Sequence, residues 1–202
     1  MRNIDFFKRE LSLIKDENLR EVVRSYMNDC TPDYFWTVGA SASGKHHPQF
    51  SQGEGGLVRH TKAVVLFAEE LLRMNTYAYM REIYKDFVIA ACIVHDTIKY
   101  GFDTEINKDE YRNHAKNAAI HFEQVCRMYD YQVSDILLSA IYAHMGQWST
   151  DKNDRPFSPV DRCVHMADYM ASRSFIDVPC VVNEYNEIAN QTEDFSDLPF
   201  TM

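Results

Sequence analysis

The sequence has no long apolar run and no paired cysteine motif. The stretch FVIAACIV at residues 87–94 is far too short to cross a bilayer. The first ten residues, MRNIDFFKRE, lack the charged, apolar and small-residue layout of a secretory signal peptide. The five cysteines are scattered without CxxC spacing, and their odd number favours reduced thiols over a disulfide framework. We therefore expect a cytoplasmic protein with no membrane partner.

Positive charge is also scarce. The formal net charge is −9, the isoelectric point is about 5.3, and lysine and arginine form no cluster in the sequence. Proteins that bind long nucleic acid usually present a basic face to its phosphates. The charge therefore argues against long duplex nucleic acid as a partner and favours a small anionic substrate. Nothing in the sequence indicates an oligomeric state.

Apolar residues recur with helical spacing along most of the 202 residues, a length that suits one domain. The Gly-, Ser- and Pro-rich residues 31–56 predict a long ordered loop, and the acidic residues 175–202 predict a tail with one short helix near 180–190. The predicted helices cover residues 3–28, 57–74, 81–98, 113–129, 131–145 and 158–174. We therefore predict an all-α, compact helical bundle in a single domain over residues 1–202, with its core at about 45–174.

Six separated histidines and aspartates lie within these apolar stretches or at their ends. They are His60, His95, Asp96, His114, His144 and Asp168. Imidazoles and carboxylates are the ligands expected for zinc, iron or manganese. Each of them alone is more often structural than metal-binding. However, burying six such groups without a metal would be costly, and they come from five independent segments, of which the His95-Asp96 segment provides two. The pattern therefore predicts a shared metal site.

The order His, His-Asp, His, His, Asp on successive helices resembles the HD-domain superfamily of metal-dependent phosphohydrolases, over about residues 45–174. The stretch HHPQFSQGEGGLVRHT resembles the opening of the HD domain of YhaM-type 3′-to-5′ exoribonucleases, and HDTIKYG resembles the superfamily signature His-Asp-x-x-Lys-x-Gly. The stretches AHMGQW and HMADYMASR resemble the end of that domain in YhaM-type enzymes and in symmetrical diadenosine tetraphosphate hydrolases.

The resemblance implies a centre for two divalent metal ions. His60, His95, Asp96 and Asp168 would hold the first ion. Asp96 would bridge to a second ion, held by His114 and His144. Manganese or iron is expected, with zinc, magnesium, nickel or cobalt as further candidates. Such a centre activates water, which implies hydrolysis of a phosphoester or pyrophosphate bond in a small nucleotide or short oligonucleotide.

Several basic residues are candidates for binding the substrate phosphate at the mouth of this site. Lys99 follows Asp96 by three residues and is expected to act with it in catalysis and to bind phosphate as a point charge. The other candidates are Arg173, Arg59, Lys45, His46 and His47.

Three further side chains have open interpretations. Trp36 and Trp148 lie in predicted loops beside the site and are candidates for stacking on a nucleobase. His121 lies seven residues after His114 on the same helical face and competes with it as a ligand, but the superfamily order favours His114.

Two alternative functions remain compatible with the same residues. Some HD-fold proteins use a di-iron centre to oxidise substrates with oxygen, and ligand identity alone does not separate the two chemistries. A non-catalytic nucleotide-binding module is the second alternative, although such a module has no need for metal-activated water.

Overall fold

The structure, a computed structural model, describes residues 3–41, 47–102, 110–149 and 151–194, with side chains up to residue 191. No strand occurs in these ranges, which confirms the all-α prediction. None of the helices in the described ranges is long and apolar enough to span a membrane. Helices α1 to α9 are Lys8–Ser12, Glu17–Ser25, Gly56–Arg73, Asn75–Ala78, Glu82–Val94, His114–Met128, Asp135–Tyr142, Pro159–Ala171 and Pro179–Asp194.

Helix α5 lies at the centre of the bundle, packed against α3, α7 and α8. Every residue from Asp86 to Val94 is buried, so its apolar residues form a continuous run instead of one stripe. Helix α6 packs mainly against α7. The C-terminal end of α5 is therefore enclosed by helices on several sides, and the residues that follow it are placed inside the molecule.

Two buried tyrosines hold the turn that follows α5. The Tyr34 hydroxyl donates to the carbonyl of Gly101 at 2.8 Å and accepts from the Tyr100 amide at 3.0 Å. The Tyr26 hydroxyl forms a 2.7 Å hydrogen bond with the hydroxyl of Thr97. These bonds satisfy buried polar groups, and they position the turn over residues 95–100.

The single helix predicted over residues 3–28 was wrong, because the chain leaves the helical path between α1 and α2. Asp16 caps α2 by accepting from the Leu19 amide at 2.8 Å. The carboxylate of Asp86, on α5, accepts from the backbone amides of Lys15 at 3.1 Å and Asp16 at 2.9 Å. These amides are thus satisfied by a distant side chain instead of by helical carbonyls.

The C-terminal segment is more regular than the predicted tail, because α9 continues to Asp194; residues 195–202 lie outside the described ranges. A buried ion-pair network joins α9 to α3. The fully buried ammonium of Lys62 lies 2.9 Å from both carboxylate oxygens of Glu10 and 3.1 Å from Glu184, and it donates to the carbonyl of Phe6 at 2.6 Å. The network therefore holds the N-terminal segment, α3 and α9 together.

Candidate metal centre

The fold brings all six predicted metal ligands to one place. His60 is on α3, His95 and Asp96 directly follow α5, His114 begins α6, His144 follows α7, and Asp168 is on α8. Five of them are at most 2% exposed, and the side chain of Asp168 is 16% exposed. Five separate parts of the chain therefore contribute polar groups to a single buried cluster.

The first half of the cluster is built around Asp168. The Nε2 atoms of His60 and His95 lie 3.1 Å and 3.9 Å from Oδ1 of Asp168. The same two nitrogens lie 3.8 Å and 3.6 Å from Oδ2 of Asp96. Four donor atoms thus surround one small volume, and the ligand atoms of His60, His95 and Asp168 are all within 4.8 Å of one another.

The second half of the cluster faces the other oxygen of Asp96. The Nε2 atoms of His114 and His144 lie 3.1 Å and 3.8 Å from Oδ1 of Asp96, and they are 3.0 Å from each other. The two oxygens of one carboxylate therefore face two different pairs of imidazoles.

Backbone hydrogen bonds determine which nitrogen of three of the imidazoles is available to bind metal. The Nδ1 atoms of His95, His114 and His144 each face the carbonyl oxygen of the residue three positions earlier. These carbonyls belong to Cys92, Tyr111 and Ile141, at 2.8, 2.6 and 2.8 Å. A carbonyl only accepts, so Nδ1 carries the proton and Nε2 directs a lone pair into the cluster.

The donor set fits a divalent metal. Both ring nitrogens of His60 and Nε2 of His95 are buried without a hydrogen-bond partner among the described residues. The lone pairs of His114 and His144 face each other at 3.0 Å, a repulsive arrangement unless a cation lies beside them. Two nitrogens each about 2.0–2.1 Å from one ion can be this far apart. Bound metal would therefore satisfy the Nε2 atoms of the cluster, which otherwise lack partners.

The electrostatics favour the protonation states that bind metal. Burial, with the neighbouring imidazoles, lowers the pKa of His144 to about 3, and burial also lowers the pKa of His95. Burial alone would raise the pKa of Asp96, but Lys99 and the imidazoles outweigh it and hold that pKa well below its usual value. At neutral pH these imidazoles are therefore neutral and the Asp96 carboxylate is charged, as metal ligation requires.

Lys99 lies at the cluster itself and not at the rim, where the sequence placed it. Its side chain is 4% exposed, and its ammonium forms an ion pair with Oδ2 of Asp96. Burial would lower the pKa of Lys99, but the Asp96 carboxylate raises it. The ammonium also lies 5.8 Å from the centre of the Tyr111 ring. Lys99 therefore remains charged beside the candidate ligands.

A pocket of about 680 Å³ opens onto the cluster, within the range of small-molecule sites. It contains the predicted substrate-binding residues Lys99, Arg173 and His47. Its lining consists of His47, Asp96, Lys99, Tyr111, Arg112, His114, His144, Met145, Trp148, Asp168, Ser172, Arg173, Ser174 and Phe175. Arg112 and Phe175 were not predicted from the sequence, where their only signal is their place two residues from His114 and Arg173.

Arg59 does not lie at the mouth of the pocket, contrary to expectation. Its guanidinium donates to the backbone carbonyls of Phe50 at 2.6 Å and Gln52 at 2.9 Å. Arg59 therefore fastens the loop before α3 onto that helix. The other two candidates in this loop, Lys45 and His46, lie outside the described residues.

Two further candidates, His121 and Trp36, lie outside the cluster. His121 is outside the cluster, and its Nδ1 lies 3.2 Å from the Tyr26 hydroxyl. Trp36 is 3% exposed and belongs to the core, so its predicted place beside the site was wrong. His165 donates from Nδ1 to the carbonyl of His144 at 2.8 Å and so supports the turn that carries this candidate ligand.

Comparison with known proteins identifies a family. The family model of the HD domain matches residues 57–173, a stretch that begins in the first turn of α3 and contains all six candidate ligands. No curated protein and no solved structure matches the chain.

Proposed function

The chain belongs to the HD-domain family of metal-dependent phosphohydrolases, and from this premise we propose that it hydrolyses a phosphoester or pyrophosphate bond in a small nucleotide or short oligonucleotide. The observation that carries the proposal is the position of Asp96. Its Oδ2 faces His60 and His95, while its Oδ1 faces His114 and His144. This arrangement supports a role for Asp96 as a ligand that two ions would share.

Each half of the cluster supplies a set of ligands. His60, His95 and Asp168, with Oδ2 of Asp96, would hold one ion. His114 and His144, with Oδ1 of Asp96, would hold the other. Mixed imidazole and carboxylate ligands suit manganese, iron or zinc. When bound at such a centre, two divalent ions lower the pKa of a coordinated water and neutralise charge on a phosphoryl group.

The surrounding residues bind and orient the phosphate. Lys99 contributes a buried ammonium next to the cluster, and Arg112 and Arg173 contribute guanidinium groups to the pocket lining. Burial, with the charges of neighbouring groups, lowers the pKa of His47 to about 3, so this imidazole is neutral near pH 7. A neutral imidazole can donate one hydrogen bond to a phosphate oxygen.

The charge of the protein supports a small substrate. Among the described residues that line the pocket, the lysines and arginines are Lys99, Arg112 and Arg173. The net charge of the whole chain is −9. Three cationic side chains are enough to bind one or a few phosphates, whereas binding along the backbone of a long nucleic acid needs an extended basic surface.

The test is hydrolysis by protein stripped of metal and reloaded with manganese, iron or zinc. We expect release of phosphate or a nucleotide product from a panel of nucleotides, and loss of this activity in Asp96→Asn, which keeps the side-chain shape but removes the charge. His121→Ala is the matched control and should retain activity. Full activity in the presence of a strong chelator, or faster cleavage of long duplex DNA than of any nucleotide, would contradict the proposal.

A further inference from the structure

We propose that Trp148 forms a stacking subsite for the nucleobase of the substrate, an inference that rests on the proposed function. Trp148 lines the same pocket as the candidate metal ligands and is 46% exposed. The chain has two tryptophans, and the other, Trp36, is 3% exposed in the core. Trp148 is therefore the tryptophan available to a ligand.

The indole of Trp148 is part of a built platform. Its ring stacks on Tyr169, with centroids 5.6 Å apart and planes 15° apart. The guanidinium carbon of Arg173 lies 4.2 Å from the Tyr169 centroid and 5.4 Å from the Trp148 centroid. Arg173 is itself held, because Nε donates to the Tyr169 carbonyl at 3.0 Å and Nη2 to the Ser172 hydroxyl at 2.8 Å. One face of the indole is thus covered, and its exposed area can accept a second ring.

The platform has a defined position relative to the metal centre. Trp148 follows the candidate ligand His144 by four residues, which places their Cα atoms at most about 14 Å apart. Gly146 lies between them with φ of +56°, and a Cβ there would lie 2.1 Å from the ring of His165. The His165 ring in turn lies 6.2 Å from the indole. A short turn braced by His165 therefore connects the two parts of the pocket.

These observations identify the chemistry of the ligand. A phosphate at the metal centre leaves the rest of the substrate in the same pocket as the exposed indole. A sugar phosphate without a base would leave the indole in water. A nucleobase would stack on it, as bases do on aromatic side chains in proteins that bind single strands. Arg173 adds a cation beside the stack.

The first test is the fluorescence of Trp148 in the zinc-loaded protein. The probe is a phosphonate analogue of adenosine monophosphate, whose P–C bond resists hydrolysis, and ethylphosphonate is the control ligand without a base. Excitation is chosen beyond the absorption of adenine. We expect saturable quenching by the nucleotide analogue alone, and loss of this quenching in Trp148→Phe, in which only Trp36 emits.

The second test compares hydrolysis of adenosine monophosphate and ribose 5-phosphate. In Trp148→Leu the ratio of kcat/KM for the nucleotide to that for the sugar phosphate should fall by about 5- to 150-fold, the range for losing one stacked base. Tyr79→Leu is the matched control, since Tyr79 is 70% exposed and lies outside the pocket lining. In Tyr79→Leu the ratio of the two kcat/KM values should stay at the wild-type value.

The outcomes separate this inference from the proposed function. Quenching at Trp148 without hydrolysis of any phosphate ester would leave the base subsite standing and refute the phosphohydrolase. Hydrolysis with an unchanged ratio in Trp148→Leu would refute the subsite and leave the phosphohydrolase standing, whether or not quenching occurs. An equal fall in both kcat/KM values would assign Trp148 a purely structural role and overturn the inference. Neither quenching nor hydrolysis would overturn both.

Discussion

We predict that replacing His114 with alanine lowers the number of bound divalent ions from two per chain to one. The second half of the cluster has three candidate ligand atoms, namely the Nε2 atoms of His114 and His144 and Oδ1 of Asp96. His114→Ala leaves two. The first half, which uses the other oxygen of Asp96, does not involve the His114 side chain. The loss should therefore be confined to one ion.

The size of the effect follows from the role of the imidazole. Substitutions that merely disturb the support of a metal ligand typically weaken binding by about 10- to 100-fold. Removing the ligand itself should cost at least the upper end of this range. The matched control is His121→Ala, because His121 lies on the same helix, outside the cluster, and its Nδ1 is hydrogen-bonded to the Tyr26 hydroxyl. Its loss should lower stability by about 1 kcal/mol and leave metal binding unchanged.

The assay is elemental analysis of each protein after equilibration with manganese and removal of free metal, followed by calorimetric titration. We expect about two ions per chain for the wild type and for His121→Ala, and about one for His114→Ala. His144→Ala should behave like His114→Ala. Two ions retained tightly by His114→Ala would refute the assignment of the second half, and loss of metal in His121→Ala would show that the wrong histidine was chosen.

Three further predictions concern stability. The folded-state pKa of His144 is about 3, below its usual 6.5, so the free energy of unfolding of metal-free protein should fall between pH 6.5 and 3, by at most about 5 kcal/mol from this residue. Urea titrations in chelator would show no contribution from this residue if its imidazole became protonated in the folded protein as readily as in the unfolded chain. Glu10→Gln leaves the buried Lys62 with one carboxylate fewer and should cost about 3 kcal/mol, whereas Glu82→Gln, in an exposed ion pair that solvent screens, should cost far less by the same urea titration. Gly146→Ala should cost at least about 1–2 kcal/mol from its positive φ, and an unchanged midpoint of thermal unfolding would contradict this.

The candidate ligands could be predicted because their local setting is visible in the sequence. His95 and Asp96 follow a continuous apolar run, and such a run predicts a buried segment whose end lies inside the protein. His114 and His144 also stand at helix ends. A polar group at the end of a buried helix needs a hydrogen-bond partner or a bound ion. The residue type therefore indicates a metal site before the other ligands are known.

Other features could not be predicted, because they depend on residues far apart in the chain. The interruption between α1 and α2 requires Asp86. Its carboxylate accepts a hydrogen bond from the backbone amide of Asp16, which is 70 residues earlier in the chain. Arg59 and Arg112 are both basic residues near candidate ligands in sequence. Only the packing of the helices places Arg59 against backbone carbonyls and Arg112 in the pocket lining.

The sequence alone therefore determined the helical class, the identity of the candidate ligands and the scarcity of positive charge, since these follow from residue types and short-range spacing. The tertiary structure decided that the two oxygens of Asp96 face different imidazole pairs, that Lys99 is buried against this carboxylate, and that Trp148 joins the pocket. These are relations between side chains on different helices. Their directions are set by how the helices pack around α5, and no local pattern in the chain specifies that packing.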